Sequence, residues 1–327
     1  MTAVPYNIVF NSLIIHRPVM ASIRNFPKSI VALGLLLCST ATQANPVACF
    51  NTNLGGFCME LLERQAPLTV ANFIRYIDSG AYDQSIFHRS EPGFVIQGGG
   101  FKVTSGSNGA GVTQVNTFDP VVNEFGLSNV RGTVAMAKLG SDPNSATSQW
   151  FINLDDNTGP PAFLDTQNGG FTVFAKILYD GMILFDTIAG LQRVNFGGAL
   201  SSTPTVNFDV SEPVQVENFV LVNSVTLHDV TAVFDGNALT FAVDTGNGEM
   251  YDVRLLLIAV EPDIVFELDT ASVTPLEAGP ANMAAFSGQN RTLVIPSVII
   301  NENALLNNVV LSLTDPAQFQ FRLESFE

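Results

Sequence analysis

The spacing of apolar residues divides the chain into a leader, a long mixed segment and a tail of strands. Near the start, Ile30 to Leu37 (IVALGLLL) is an unbroken apolar run. Farther on, Pro67 to Asp78 (PLTVANFIRYID) places Val70, Phe73, Ile74 and Ile77 at helical spacing, with Pro67 in the first turn, where its missing N–H costs little. Gly181 to Leu191 predicts a second helix with Ile183, Leu184, Ile188 and Leu191 on one face. Glu212 to Leu227 reads as extended chain, and 98–111 (GGGFKVTSGSNGAG) as a glycine-rich loop. That loop lacks the Gly-Lys-Ser/Thr ending of a phosphate-binding loop.

From 229 onward the pattern is all strand, and it repeats. Ala232 to Asn237, Leu239 to Phe241, Val253 to Leu257 and Val265 to Leu268 are echoed by Ala284 to Gln289, Leu293 to Ile295, Val309 to Leu313 and Phe319 to Leu323. The offset ranges from 52 to 56 residues, which predicts a duplicated unit of three or four strands. Two such units are expected to bury their faces against each other as a small sandwich.

Charge explains the leader. Residues 1–44 hold Arg17, Arg24 and Lys28 and no acid, and end in Thr42-Gln43-Ala44. A basic start, a short apolar run and a small-x-Ala site describe a secretory signal peptide, cleaved near Ala44, with Met20 an alternative start. The run falls far short of the ~20 residues that span a bilayer, so no membrane span is expected. The expected location is the periplasm or the exterior. Of the net charge of -16, the segment 45–228 carries -8 and the tail 229–327 carries -11, against a basic leader. So acidic a chain lacks the basic stripe that phosphate backbones require, which argues against nucleic-acid binding. After cleavage two cysteines remain, Cys49 and Cys58, flanking the turn-like Asn53-Leu54-Gly55-Gly56. An oxidising compartment would permit a disulfide across such a hairpin, and two buried thiols are the alternative. Asp244 to Glu249 (DTGNGE) lacks the full ligand alternation of a calcium loop and reads as a hairpin turn.

The chemistry lies between 87 and 174. FHRSEPGFVIQGGGF at 87–101, RGTVAMAKLGSDPNSATSQWFI at 131–152, Phe163-Leu164-Asp165 and Phe171-Thr172-Val173-Phe174 strongly resemble the cyclophilin-type peptidyl-prolyl cis–trans isomerases, in order and spacing, over about 180 residues. The details look closest to the exported bacterial branch. The resemblance implies a mainly β fold over 45–228, a closed eight-stranded antiparallel barrel with two capping helices; the all-β tail at 229–327, read from its own repeat, follows it. It implies Arg89 as the catalytic cation and Gln97 as its polar partner. Phe94, Val95, Phe151, Phe163 and Leu164 would form the proline pocket, with Phe171 beside it. Ala137, Lys138 and Gln149 would meet the substrate backbone. Trp150 should point into the core, opposite Phe151, and His88 is read as structural. Unfolded or flexible proline-containing polypeptides are the expected partners, and no metal or cofactor is required. A competing reading makes the fold a proline-peptide grip or chaperone module tethered through the tail.

Overall fold

The computed structural model describes residues 45–327 apart from 278, 280, 281, 302 and 303, so the signal-peptide reading of 1–44 lies outside the described residues. The first part of the chain supplies β1 (Val47–Thr52), β2 (Gly55–Leu61), α1 (Pro67–Asp78), β3 (Ser85–Ile86), β4 (Arg89–Glu91), β5 (Val95–Gly98), β6 (Phe101–Gly106), β7 (Gly109–Gln114), β8 (Thr133–Met136), β9 (Trp150–Asn153), β10 (Val173–Ile177), α2 (Gly181–Ala189), β11 (Gln192–Val194), β12 (Thr203–Thr205) and β13 (Leu221–His228). The tail supplies β14 (Ala232–Asp235), β15 (Ala238–Asp244), β16 (Met250–Ala259), β17 (Val265–Leu268), β18 (Thr274–Leu276), β19 (Ala284–Ser287), β20 (Thr292–Asn301), β21 (Ala304–Asp315) and β22 (Gln320–Ser325). Among the described residues the fold is mainly β with two α-helices, and none of their helices is long and apolar enough to cross a membrane.

Eleven strands form one sheet in the order β4-β5-β9-β8-β10-β2-β1-β13-β3-β6-β7. Only Phe87 and His88 separate β3 from β4, so the segment 85–91 pairs near both ends of that order. One face buries an aromatic core that includes Phe50, Phe57, Phe73, Phe87, Trp150 and Phe174. Trp150, 1% exposed, meets Phe50, Phe73, Tyr82 and Phe87 edge-on, an arrangement that aligns ring edges with ring faces.

Helix α1 buries Val70 and Phe73 as its periodicity requires, together with Thr69 and Tyr76. Its amino end is capped from a distance: the Glu124 carboxylate accepts from Leu68 N (3.1 Å), Thr69 N (2.7 Å) and Thr69 Oγ1 (2.8 Å), which satisfies free N–H groups and opposes the helix dipole. Helix α2 keeps Leu184, Ile188 and Leu191 of the expected face against the core, but Phe185 is buried in place of Ile183. Phe185 and Ile188 are buried whereas Ile183 is 63% exposed, because this helix is apolar nearly all round and its pattern does not choose a face. Two further expectations change. The glycine-rich stretch from 98 contains the hairpin β6–β7, held by Phe101 and Val103 packing on Ile86, Phe219 and Leu221. The start of the stretch from Glu212 is not extended: Val216–Asn218 is a 3₁₀ turn with a reciprocal Gln215–Asn218 cap.

The tail is not a sandwich. Its strands close into a seven-membered ring, β15-β19-β20-β21-β22-β17-β16, completed by β15–β16, with β14 and β18 attached at its margins. The repeat is present as the succession β14–β17 and β19–β22. The halves interlock instead of stacking: β14 runs parallel to β20, β15 runs parallel to β19, and β17 meets β22 with Phe266 opposite Phe321. A sequence repeat reports the strands and is silent on which half each strand pairs with. The turn at Asp244–Glu249 uses its own side chains, since Asp244 accepts from Gly246 N and Asn247 from Thr245 Oγ1 and Glu249 N.

The ring docks on the first sheet. Val230, Val233 and Ile299 pack with Val47, Cys49, Cys58 and Leu178, Tyr179 N donates to Asp235 (2.8 Å), and Arg64 pairs with Asp252. Cys49 and Cys58 face each other across β1–β2 and are joined as a disulfide inside that apolar contact.

Candidate active site

Strand register builds the site. Arg89 on β4 faces Gln97 on β5, Gln97 faces Phe151 on β9, Phe151 faces Ala135 on β8, and Ala135 faces Val173 on β10. Residues opposite one another in a ladder share a face, so this row crosses five strands on the side away from Trp150. Along it Val95, Ala135, Phe151, Leu164 and Val173 form a buried apolar cluster, with Phe94, Ala137 and Phe171 packed partly buried against it. Phe151 and Phe171 meet edge to face at 5.7 Å.

A row of polar side chains borders that cluster at β4 and β5. Arg89 Nη1 reaches Gln97 Oε1 (3.4 Å), and Gln97 Nε2 donates to Gln149 Oε1 (2.8 Å), giving a relay of three side chains. The Arg89 guanidinium stands 5.8 Å from the centre of the Phe94 ring and 3.4 Å from Glu91. A Cβ at Gly100 would approach the Gln149 side chain to 2.8 Å, so any larger residue there would displace that amide. His88 is buried beneath this edge at 1% exposure; burial, with the Arg89 cation second, lowers its pKa from 6.5 to about 4. It is therefore neutral at neutral pH and spares Arg89 a second positive charge.

The predicted residues do not all converge. Lys138 is engaged by backbone carbonyls: its Nζ donates to Asn168 O (2.8 Å) and Gly170 O (2.5 Å), and burial lowers its pKa. It lies 4.8 Å from the centre of the Phe171 ring. Phe163 stands outside the apolar cluster, 46% exposed, on a left-handed backbone at φ 53°. Pattern reading missed a buried amide network. Asn157 Nδ2 donates to Phe94 O (2.9 Å) and Asn153 Oδ1 (2.8 Å), and Asn153 Nδ2 to Asn129 Oδ1 (3.3 Å). Asn129 Nδ2 in turn donates to Asp165 (3.0 Å) and Phe171 O (3.0 Å). It ties together the loops that carry Phe94, Leu164 and Phe171. Three asparagines scattered over 129–157 gave no signal beyond their polarity.

The family model for cyclophilin-type peptidyl-prolyl cis-trans isomerases matches residues 47–218, just over half of the chain. The chain belongs to that family. Its cyclophilin segment is 40% identical over 171 residues to a peptidyl-prolyl cis-trans isomerase of Acinetobacter baylyi, covering 51% of this chain and 84% of the relative. It is 42% identical over 155 residues to peptidyl-prolyl cis-trans isomerase B of Escherichia coli, covering 45% and 87%. A solved cyclophilin-type isomerase of Cryptosporidium parvum, in the presence of the dipeptide Ala-Pro, aligns at 25% identity over 56% of this chain and 98% of its own, with a TM-score of 0.39. The family match ends at 218, so the closed ring of the tail lies beyond it.

Proposed function

We propose that this isomerase speeds rotation about X–Pro bonds without a covalent intermediate, with Arg89 as the group that stabilises the twisted bond. Amide resonance sets a barrier of about 18–20 kcal/mol, and rotation pyramidalises the prolyl nitrogen. A catalyst needs only to hold that twisted state more tightly than either planar one. The observation that carries this reading is the row that puts Arg89 and Gln97 at the rim of the Val95–Phe151–Leu164 cluster. The proline ring would enter the apolar cluster, and the guanidinium would lie beside the nitrogen whose lone pair is being freed. Gln97 would aim the guanidinium, and Gln149 and the Ala137 backbone would hold the residues before proline. Phe163 would close over the far side of the ring from the exposed rim, while Lys138 would fix the loop that carries Phe171.

Flexible or unfolded proline-containing polypeptides are the substrates this cleft suits. The Acinetobacter and Escherichia relatives are bacterial, and the basic, apolar leader at 1–44 fits export to the periplasm or beyond. We read the chain as two units, 45–228 and 229–327, and the first as an eight-stranded barrel closed through Phe87 and His88. The test is turnover: an X–Pro peptide in large excess over the protein should relax faster in proportion to protein concentration. Acceleration that saturates at one equivalent of peptide would mean a grip and not an enzyme.

A further inference from the structure

Both ends of the seven-stranded ring open into apolar clefts. One, of about 290 Å³, takes Phe234, Leu239, Leu257, Val260 and Ile264 from the first half of the repeat. The other, of about 250 Å³, takes Phe286, Leu293, Leu313, Pro316 and Phe319 from the second half, at the corresponding positions. The duplication has built one cleft twice. Folded interiors seldom leave voids much larger than a water molecule, so a pair of open apolar clefts is not ordinary packing. The lip of the larger one is exposed hydrocarbon: Val260 is 61% and Phe326 53% accessible.

Charge narrows the occupant. Glu261 and Asp263 alternate with the lining residues Val260 and Ile264, and Glu324 and Glu327 flank Phe326. Arg322, the cation beside them, is engaged by Glu324 (2.8 Å) and Asp263 (3.8 Å). At the second cleft Asp244, Glu249 and Asp315 stand within two residues of lining residues, three acids against Arg291, which lies two residues before the lining Leu293. An acyl chain with an anionic head would meet like charge at either mouth, whereas apolar side chains flanked by Lys or Arg would meet opposite charge.

We propose that these clefts grip the apolar side chains of extended, basic polypeptide segments, holding the unfolded chains whose X–Pro bonds the first sheet acts on. The identity of the guest rests on the isomerase reading above; the cleft and its preference do not. Docking of the ring through Val230, Val233 and Ile299, Tyr179 to Asp235 and Arg64 to Asp252 joins grip and catalyst in one molecule.

The test uses the full chain and two labelled, proline-free peptides of alternating Leu and Phe, one interspersed with Arg and one with Glu, followed by fluorescence anisotropy. The Arg peptide should bind and weaken with salt; the Glu peptide should not bind. Val260→Asp and Phe326→Asp, at exposed positions of the first cleft, should each weaken binding at that cleft about tenfold or more, the equivalent of 1.4 kcal/mol, and leave one class of site with parent affinity at the other cleft. Arg89→Ala should leave binding unchanged. Equal binding of both peptides, binding that ignores Val260→Asp, or uptake of a small apolar dye but of neither peptide would each overturn the proposal. Absence of turnover on a short X–Pro peptide, with the Arg peptide still bound, would sink the isomerase reading and leave the grip standing.

Discussion

Aromatic rings fill the interior of the first sheet, whereas the closed ring of the tail is centred on smaller side chains and left open at both ends. In the first, Phe50 and Phe57 stack at 4.7 Å and Trp150 is enclosed by four other rings. In the second, Leu255 and Leu311 are buried at the waist, and Phe266 and Phe321 pair between the clefts. The filled sheet keeps its functional face on the other side, where Arg89, Gln97 and Gln149 border an apolar cluster. The tail has clefts of comparable character and no charged side chain among the described residues that line them. An apolar pocket bordered by acids can bind; a cation held at the rim, as Arg89 is, can also let binding differ between planar and twisted states. On the proposed reading, that difference gives turnover to one region and retention to the other.

The largest expected contrast is in stability. Trp150→Ala removes the hub of a filled core and should cost about 3–5 kcal/mol in urea unfolding, while Leu257→Ala, on the wall of an already open cleft, should cost no more than about 2 kcal/mol. Equal losses would mean that the clefts are packed as tightly as the aromatic core.

Acid should act through the first sheet. His88 has a pKa of about 4 when folded and 6.5 when free, so the unfolded chain binds the extra proton between those values. Its contribution is complete above pH 6.5 and is lost as pH falls toward 4, a loss of up to about 3 kcal/mol from this group. Urea midpoints at pH 7 and pH 4.5 should differ less in His88→Gln than in the parent chain. A slope unchanged by that substitution would place the acid sensitivity elsewhere.

Asn157→Ala should cost about 1–3 kcal/mol, since it strips the Phe94 carbonyl and Asn153 of a buried donor. Because the network seats the pocket loops, KM should rise more than kcat falls. A stability loss with unaltered KM would reduce the network to scaffolding.

Much of this was readable in advance where a local rule decides the outcome. Pro67 and the spacing of Val70 and Phe73 specify α1, and alternation along 150–151 sends Trp150 and Phe151 to opposite faces. Arg89, Gln97, Phe151 and Leu164 came from spacing shared with a family, and the ladder register gives that spacing its physical meaning. What stayed hidden depends on partners remote in sequence. The Glu124 cap on α1 and the Asn129–Asn153–Asn157 network join residues whose local patterns look like loop. The ring closure of the tail turned on β15 choosing both β16 and β19, and strand patterns carry the same periodicity whichever neighbour they pair with.

The division between the two regions is tested most directly by kcat/KM on one short X–Pro peptide, measured in parallel for the parent chain, Arg89→Ala and Val260→Asp. Loss of a positioned charge at a reacting centre should lower the Arg89→Ala value about a hundredfold, with the fold intact by circular dichroism. Val260→Asp should stay within about twofold of the parent, since a short peptide does not reach the clefts and rim substitutions away from the site leave its energetics nearly unchanged. Arg89→Ala turning over like the parent would contradict the account at its centre.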